Sequence, residues 1–166
     1  MLGNIGQDSH GEAIVRLCGE YGLEFFPIIT EQPTITKARF VETSYGQQLL
    51  RADFEEMIAL TTEDMHTIIA TIQRIDPDII ICSDYMKGVL HESLLSLLCE
   101  NFADKKILVD TKPSKFALYK NIYLFKPNFK EFKEIVGQDV ENDDAVIAHY
   151  GKSLAEQYRS NFVITR

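Results

Sequence analysis

Lys126-Pro127-Asn128-Phe129-Lys130-Glu131 lies directly behind the apolar run Ile122 to Phe125. It gathers an amide, a carboxylate and two lysines where a strand gives way to a helix. Proline interrupts the strand, and Asn128 with Glu131 three residues later suits a helix start. In open α/β sheets ligands collect at the carboxyl ends of strands, and the free backbone N–H groups expected at a helix start suit phosphate. The same Asn-x-x-Glu spacing is a capping box, in which Asn128 caps the helix and Glu131 reaches back to the Asn128 N–H. Capping is the commoner use of such a pattern. The hexapeptide by itself leaves both readings open.

Two more polar clusters follow apolar runs in the same manner. Ser83-Asp84-Tyr85-Met86-Lys87-Gly88 comes after Ile79 to Cys82, and Asp110-Thr111-Lys112-Pro113 after Ile107 to Val109. Parallel strands of one sheet point their carboxyl ends the same way, so the three clusters should share one rim. There lysines would neutralise phosphate oxygens and carboxylates would hold Mg²⁺ through water. Taken singly, Asp84 and Asp110 are ordinary turn or cap residues, Lys87-Gly88 closes a loop, and Pro113 breaks the chain.

The elements needed to build that rim are legible along the chain. A helix from Thr62 to Ile75 carries Met65, Ile68, Ile69 and Ile72 on one side. Asp78 to Cys82 is a short apolar run, the mark of a strand covered on both faces. A helix bearing Leu94, Leu95, Leu97 and Leu98 leads to a strand at Lys106 to Val109, and Ile122 to Phe125 forms the next strand. Phe129 to Val136 is a helix stopping at Gly137; a longer helix covers Asp143 to Tyr158, before the strand Phe162-Val163-Ile164-Thr165. Strand, helix, strand at these spacings implies right-handed crossovers and a parallel sheet with helices outside it.

Upstream the pattern differs. Gly3 to Asp8 reads as a glycine-rich turn before a helix with Ser9 and Glu12 as its capping pair. Ile14, Val15, Leu17 and Cys18 supply its apolar face and Gly22 its stop; Leu23 to Ile29 reads as a strand. Residues 33–53 read as a β-hairpin turning at Ser44-Tyr45-Gly46, with Lys37, Arg39 and Arg51 on a wet face. A two-stranded piece is barely stable alone, so it should pack on the domain, on a ligand or on a second subunit.

The 166 residues suit one globular domain, and 45% hydrophobic with 25% charged residues suggests neither disorder nor a membrane protein. Seventeen Lys and Arg against 25 Asp and Glu leave a charge of −8, poorly suited to gripping a nucleic-acid backbone. No run approaches a membrane span and Met1-Leu2-Gly3-Asn4 opens no secretory signal, so a cytoplasmic location is expected. Cys18, Cys82 and Cys99 are widely spaced and expected reduced. His10, His66, His91 and His149 have no partners at metal-ligand or triad spacing.

The order of these motifs resembles the middle of a ribokinase-like carbohydrate kinase, and most closely the bacterial heptose-7-phosphate kinases. Gly3-Asn4-Ile5-Gly6-Gln7-Asp8-Ser9-His10-Gly11 is similar to the family's early G-x-x-G-x-D-x-x-G stretch. Pro33 to Arg39 and Gln47 to Asp53 look like the lid strands of the heptose kinases. Ser83-Asp84-Tyr85, Lys87-Gly88, Val109-Asp110, Lys112 and Lys126-Pro127-Asn128 with Glu131 follow in family order, and Val163 to Arg166 resembles the strand end before the nucleotide loop. Met86 and Thr111 depart from the pattern, standing where glycine and proline are usual.

The resemblance implies an α/β fold: a ribokinase-like, partial doubly wound, mostly parallel sheet flanked by helices, forming one incomplete kinase domain over residues 1–166 with a small β-hairpin lid at 33–53. It implies ATP and Mg²⁺ as cofactors, with Asn128, Phe129, Lys130 and Glu131 at the nucleotide phosphates, Glu131 reaching the metal through water, and Thr165 and Arg166 near the nucleotide. Asp110 and Lys112 would line the groove between sugar and nucleotide. Asp84, Lys87, Lys37 and Arg39 are the remaining candidates for the sugar phosphate. The implied reaction is transfer of the ATP γ-phosphate to the anomeric hydroxyl of D-glycero-β-D-manno-heptose 7-phosphate, for ADP-heptose and lipopolysaccharide synthesis. A homodimer through the lid is implied; nucleic acid and membrane are not expected partners.

Both ends of the sequence look cut, with no strand before the opening turn and no helix after Thr165-Arg166. Family members also carry a Gly-x-Gly-Asp motif, whose aspartate is the general base and whose helix start is the anion hole. It does not occur in these residues. Phosphoryl transfer depends on positioning and charge neutralisation, so this polypeptide alone is expected to be inactive. The rival readings are a non-catalytic, regulatory or dimerising remnant, and a family kinase for another sugar.

Overall fold

A computed structural model describes residues 1–119 and 122–166 and divides them into two units, Met1–Ile68 with Lys87–Val89, and Ile69–Met86 with Leu90–Arg166. The first unit opens with strand β1 (Leu2–Gly6), helix α1 (Ser9–Glu20) and strand β2 (Phe26–Thr30), the strands pairing in parallel from Leu2 opposite Phe26 to Gly6 opposite Thr30. The expected glycine-rich turn is therefore a strand. Gly6 answers to crowding: a side chain there would lie 2.6 Å from the Gln32 carbonyl oxygen and 2.8 Å from the Thr34 nitrogen.

Asp8, not Ser9, caps α1. One carboxylate oxygen accepts the Gly11 N–H at 2.8 Å and the other accepts the Thr34 N–H at 2.7 Å. The long-range bond to Thr34 decides the choice, and sequence spacing does not show it. The buried positions of α1 are Gly11 and Cys18, whereas Val15 and Leu17 stay exposed, so its apolar stripe is narrower than the residue types suggest.

The Thr34 and Gly11 N–H groups hold the Asp8 carboxyl down at about 2. A depressed carboxylate stabilises the fold above its ordinary value, roughly 4, and that contribution is lost as pH falls through the folded value. Stability should therefore drop between about pH 4 and pH 2. Urea midpoints across that window should fall for the wild-type chain and run flatter for Asp8→Asn; parallel curves would refute the assignment.

Strands β3 (Thr36–Val41) and β4 (Gln48–Phe54) form the hairpin as an antiparallel pair. The Glu42 carboxylate accepts the Ser44 and Tyr45 N–H groups, both at 2.7 Å, and Gly46 supplies a φ of +68°. Directly opposed residues share a face. Thr36 with Phe54, Ala38 with Ala52 and Phe40 with Leu50 make one face apolar; Lys37 with Asp53 and Arg39 with Arg51 make the other charged.

Helix α2 (Thr62–Ile75) starts in the first unit and ends in the second. There follow β5 (Ile79–Ser83), α3 (Glu92–Asn101), β6 (Lys106–Asp110), a 3-10 helix (Pro113–Leu118), β7 (Leu124–Phe125), α4 (Phe129–Val136), α5 (Asp144–Tyr158) and β8 (Asn161–Phe162). The sheet runs β5-β6-β7-β8, every pair parallel. The architecture is the expected α/β arrangement of a mostly parallel sheet with helices and a hairpin. The 3-10 helix was not foreseen: Pro113 starts it rather than merely breaking the chain.

The reading of β5 as covered on both faces is corrected. It is the edge strand, and Ile79 and Ile81 are 50% and 72% exposed while Cys82, on the other face, is buried. Phe116 of the 3-10 helix packs on Phe125 with ring centroids 4.1 Å apart and on Tyr158 at 4.6 Å, which fastens that helix over β7. Phe132, Val140, Ile147 and Leu154 form a second buried cluster under α4 and α5. Cys18 and Cys82 are buried free thiols, and burial pushes the Cys82 thiol up to about 12. Among the described residues no helix is long and apolar enough to cross a membrane.

Candidate functional site

Because β5, β6 and β7 run parallel, Ser83, Asp110 and Phe125 end on one edge of the second unit's sheet. The segments stay adjacent beyond the strands. The Asp84 N–H donates to the Asp110 carbonyl at 2.8 Å and the Lys126 N–H to the Val109 carbonyl at 3.0 Å.

Four charged side chains meet on this edge. Lys112 Nζ lies 2.8 Å from Glu131 Oε1, and Lys126 Nζ lies 3.0 Å from Asp110 Oδ2. The pairs also act across one another: Asp110 helps hold Lys112 protonated, and Lys126 helps hold Glu131 ionised. Burial opposes the charge on Glu131, but the Lys112 ammonium and the Asn128 N–H outweigh it, so its carboxyl sits below the usual range. The Lys126–Asp110 pair, nearly half open to solvent on both sides, can exchange partners with an arriving anion at little loss, since such pairs are weak in water. Lys112 is equally open, although its Glu131 partner is largely buried.

Helix α4 begins as the capping box. Asn128 Oδ1 accepts the Glu131 N–H at 2.9 Å, and Glu131 Oε2 accepts the Asn128 N–H at 3.0 Å. The Phe129 N–H is taken by the Thr165 carbonyl at 2.7 Å. The expectation of several free amide groups here is therefore corrected: the N–H groups of Asn128, Phe129 and Glu131 are already bonded. Positive charge comes from side chains, with Lys130 exposed in the first turn of α4. Phe129 turns into the core beside Phe132.

Thr165 bridges Asn128 as a parallel neighbour, which sets the end of the chain beside the start of α4. Arg166 turns toward α5, its guanidinium 2.5 Å from Asp144 Oδ1 and 3.4 Å from Asn142 Oδ1. A cleft of about 480 Å³ lies there, lined by Asp144, Ile147, Gly151, Phe162, Ile164 and Arg166.

Asp84 lies elsewhere than the open edge that its sequence position suggests. Its side chain is 2% exposed, and the carboxylate is enclosed by Met86, Thr111, Lys115 and Tyr119. Two residues on, Met86 has a φ of +58°, the left-handed region that favours glycine. Met86→Gly should therefore stabilise the chain by about 1 kcal/mol, reduced by the entropy glycine adds to the unfolded chain. A lower urea midpoint for this variant would show that Met86 makes contacts outweighing its strain.

In the first unit, Glu55 joins two of the candidate phosphate-binding lysines. Its Oε2 is 3.0 Å from Lys37 Nζ and its Oε1 is 2.6 Å from Lys87 Nζ, while Asp53 lies 3.4 Å from Lys37. These contacts keep Lys37 protonated above its ordinary range, with Glu55 the larger influence. Arg39 stands opposite Arg51, whose guanidinium is held by Asp53 at 2.8 Å. Glu55, Lys115 and Tyr119 escaped the sequence reading because their partners lie 18 to 35 residues away. Lys126 was visible: it directly precedes Pro127 and Asn128.

Residues 1–166 match the pfkB family carbohydrate kinase profile throughout. Bifunctional protein HldE of Shewanella amazonensis is 36% identical over 147 residues, covering 88% of this chain and 30% of that protein. An uncharacterised Methanocaldococcus jannaschii protein, MJ1336, is 40% identical over 124 residues, covering 74% of this chain and 82% of that one. The fold is similar to phosphofructokinase-2 from Escherichia coli, with a TM-score of 0.76 at 16% identity over 98% of this chain and 54% of that chain. Ribokinase from Giardia lamblia gives 0.68 at 16% identity over 98% and 52%. The chain thus spans about a third of the HldE protein and about half of the solved kinases.

Proposed function

The chain belongs to the pfkB family of carbohydrate kinases, and on that premise we propose that the charged edge of its parallel sheet receives the phosphates of Mg·ATP. The reaction served is transfer of the γ-phosphate to a sugar hydroxyl, the anomeric hydroxyl of D-glycero-β-D-manno-heptose 7-phosphate. The observation that carries this reading is the alternation of Asp110, Lys126, Glu131 and Lys112 where β6 and β7 end.

Each residue there has a task that its setting suits. Lys112 and Lys126 neutralise phosphate oxygens, exchanging their carboxylate partners for the nucleotide. Asn128 and Glu131, locked in the capping box, keep the α4 start fixed so that Lys130 and Lys112 keep their positions. Asp110 and Glu131 are hard oxygen donors suited to Mg²⁺ through its water shell. The metal supplies charge neutralisation between the phosphates when bound. Lys37, Lys87 and Arg39 are assigned to the sugar phosphate, a heptose 7-phosphate by the kinship with HldE. No Gly-x-Gly-Asp occurs in these 166 residues, so the motif that the family resemblance implies as the proton acceptor is not among them.

The apolar hairpin face supports assembly of two copies. Phe40, Leu50 and Phe54 are each more than half exposed on one side of a two-stranded sheet, a surface that another hairpin can cover. Light scattering should show a dimer; a monomer at high concentration would contradict it.

Calorimetric titration of the 166-residue chain with Mg·ATP tests the reading. Saturable binding at or below about millimolar nucleotide is expected. Coupled assays with heptose 7-phosphate, fructose 6-phosphate and ribose should register no turnover by this polypeptide. Absence of nucleotide binding would remove the functional reading, and turnover would remove the expectation that this polypeptide is inactive.

A further inference from the structure

We infer that Asp84 is a positioning residue, whose buried carboxylate fastens the backbone on both sides of Lys112 and so aims that lysine at Glu131 and the phosphate site. The inference rests on the functional reading above. One Asp84 oxygen accepts the Met86 N–H at 2.8 Å, which shapes its own loop. The other receives three groups from the segment after β6: the Thr111 hydroxyl at 3.2 Å, the Tyr119 hydroxyl at 3.2 Å and the Lys115 ammonium at 3.4 Å. Thr111 immediately precedes Lys112; Lys115 follows it by one turn of the 3-10 helix and Tyr119 stands just past that helix's end.

The backbone repeats the connection, since the Asp84 N–H donates to the Asp110 carbonyl and the Lys115 N–H to that of Lys112. Lys115 is tied once more, to the Leu90 carbonyl at 2.9 Å. Asp84 is thus closed to solvent and fully engaged, whereas Lys112 is half exposed with its ammonium on Glu131. A carboxylate so enclosed cannot meet a substrate without dismantling its surroundings. It can fix what its partners carry. Thr111 adds one of the three donors.

Buried networks of this kind act as a unit, so the decisive measurement is coupling. Asp84→Asn should weaken Mg·ATP binding roughly tenfold in the wild-type background and have little effect in Lys112→Met. Titration of the Glu131 carboxyl by NMR reads the same event without nucleotide: when Lys112 loses its aim, Glu131 should titrate closer to the ordinary carboxylate range. Tyr119→Phe and Thr111→Val each delete one hydroxyl donor, keep the carboxylate, and should move Glu131 the same way if Asp84→Asn fails to fold.

An equal loss of affinity with and without Lys112 would overturn the inference, as would wild-type Glu131 titration in all variants. If the wild-type chain binds no nucleotide, the functional reading fails by itself. The Glu131 titration then still decides the positioning role for or against.

Discussion

Replacing Lys112 by methionine should weaken Mg·ATP binding by roughly 10- to 100-fold, the equivalent of one charge-assisted contact to phosphate. Methionine keeps much of the length and removes the charge. Two effects then act in the same direction. The phosphate loses a cation, and Glu131, deprived of its 2.8 Å partner, is left as an uncompensated anion facing the triphosphate. Stability should fall only modestly, by about 1 kcal/mol, because Lys112 is half exposed although Glu131 is largely buried and keeps the Asn128 N–H as a partner. The combination of large loss of affinity and a modest fall in urea midpoint distinguishes a ligand-facing lysine from a structural one. Arginine at this position should not restore full affinity, since its planar fork demands a different geometry from a point charge. Unchanged affinity in Lys112→Met would place the phosphates elsewhere.

The same edge shows which parts of the molecule could be read from the chain and which could not. Helix α4 was legible to its ends, because a local capping box and a left-handed glycine at Gly137 define it within ten residues. Helices α2 and α5 were legible for a similar reason. Strand β1 was not, because glycine marks both turns and close backbone approach, and only the Gln32–Thr34 segment shows which applies at Gly6. Burial of β5 was misjudged since an apolar run does not reveal whether its strand lies at a sheet edge. At the site, Asn128, Glu131, Asp110 and Lys112 could be listed from the sequence. Their pairing, and the enclosure of Asp84 by groups 27 to 35 residues further on, are products of tertiary structure.

Gly88→Ala should lower stability by about 4 kcal/mol, among the largest effects of a single added methyl group. Gly88 has a φ of +100°, and a Cβ there would lie 2.1 Å from the Ile58 carbonyl oxygen and 2.9 Å from its nitrogen. Backbone cannot swing aside as a side chain can. Ile58 is itself buried and donates its N–H to the Lys87 carbonyl at 2.9 Å, so the clash breaks the contact that joins the two segments. Gly46→Ala is the control. Its φ of +68° is also left-handed, but nothing lies within 4 Å of the added carbon, so only backbone strain of roughly 1 kcal/mol applies. The difference between the two urea midpoints isolates the steric contribution. Losing the Ile58–Lys87 contact should also release Lys87 from Glu55, its partner at 2.6 Å, and so loosen the anchor of Lys37 on the hairpin. If the two alanine variants prove equally mild, the close passage of residue 58 over residue 88 is wrong, and so is the placement of Lys87 beside Glu55.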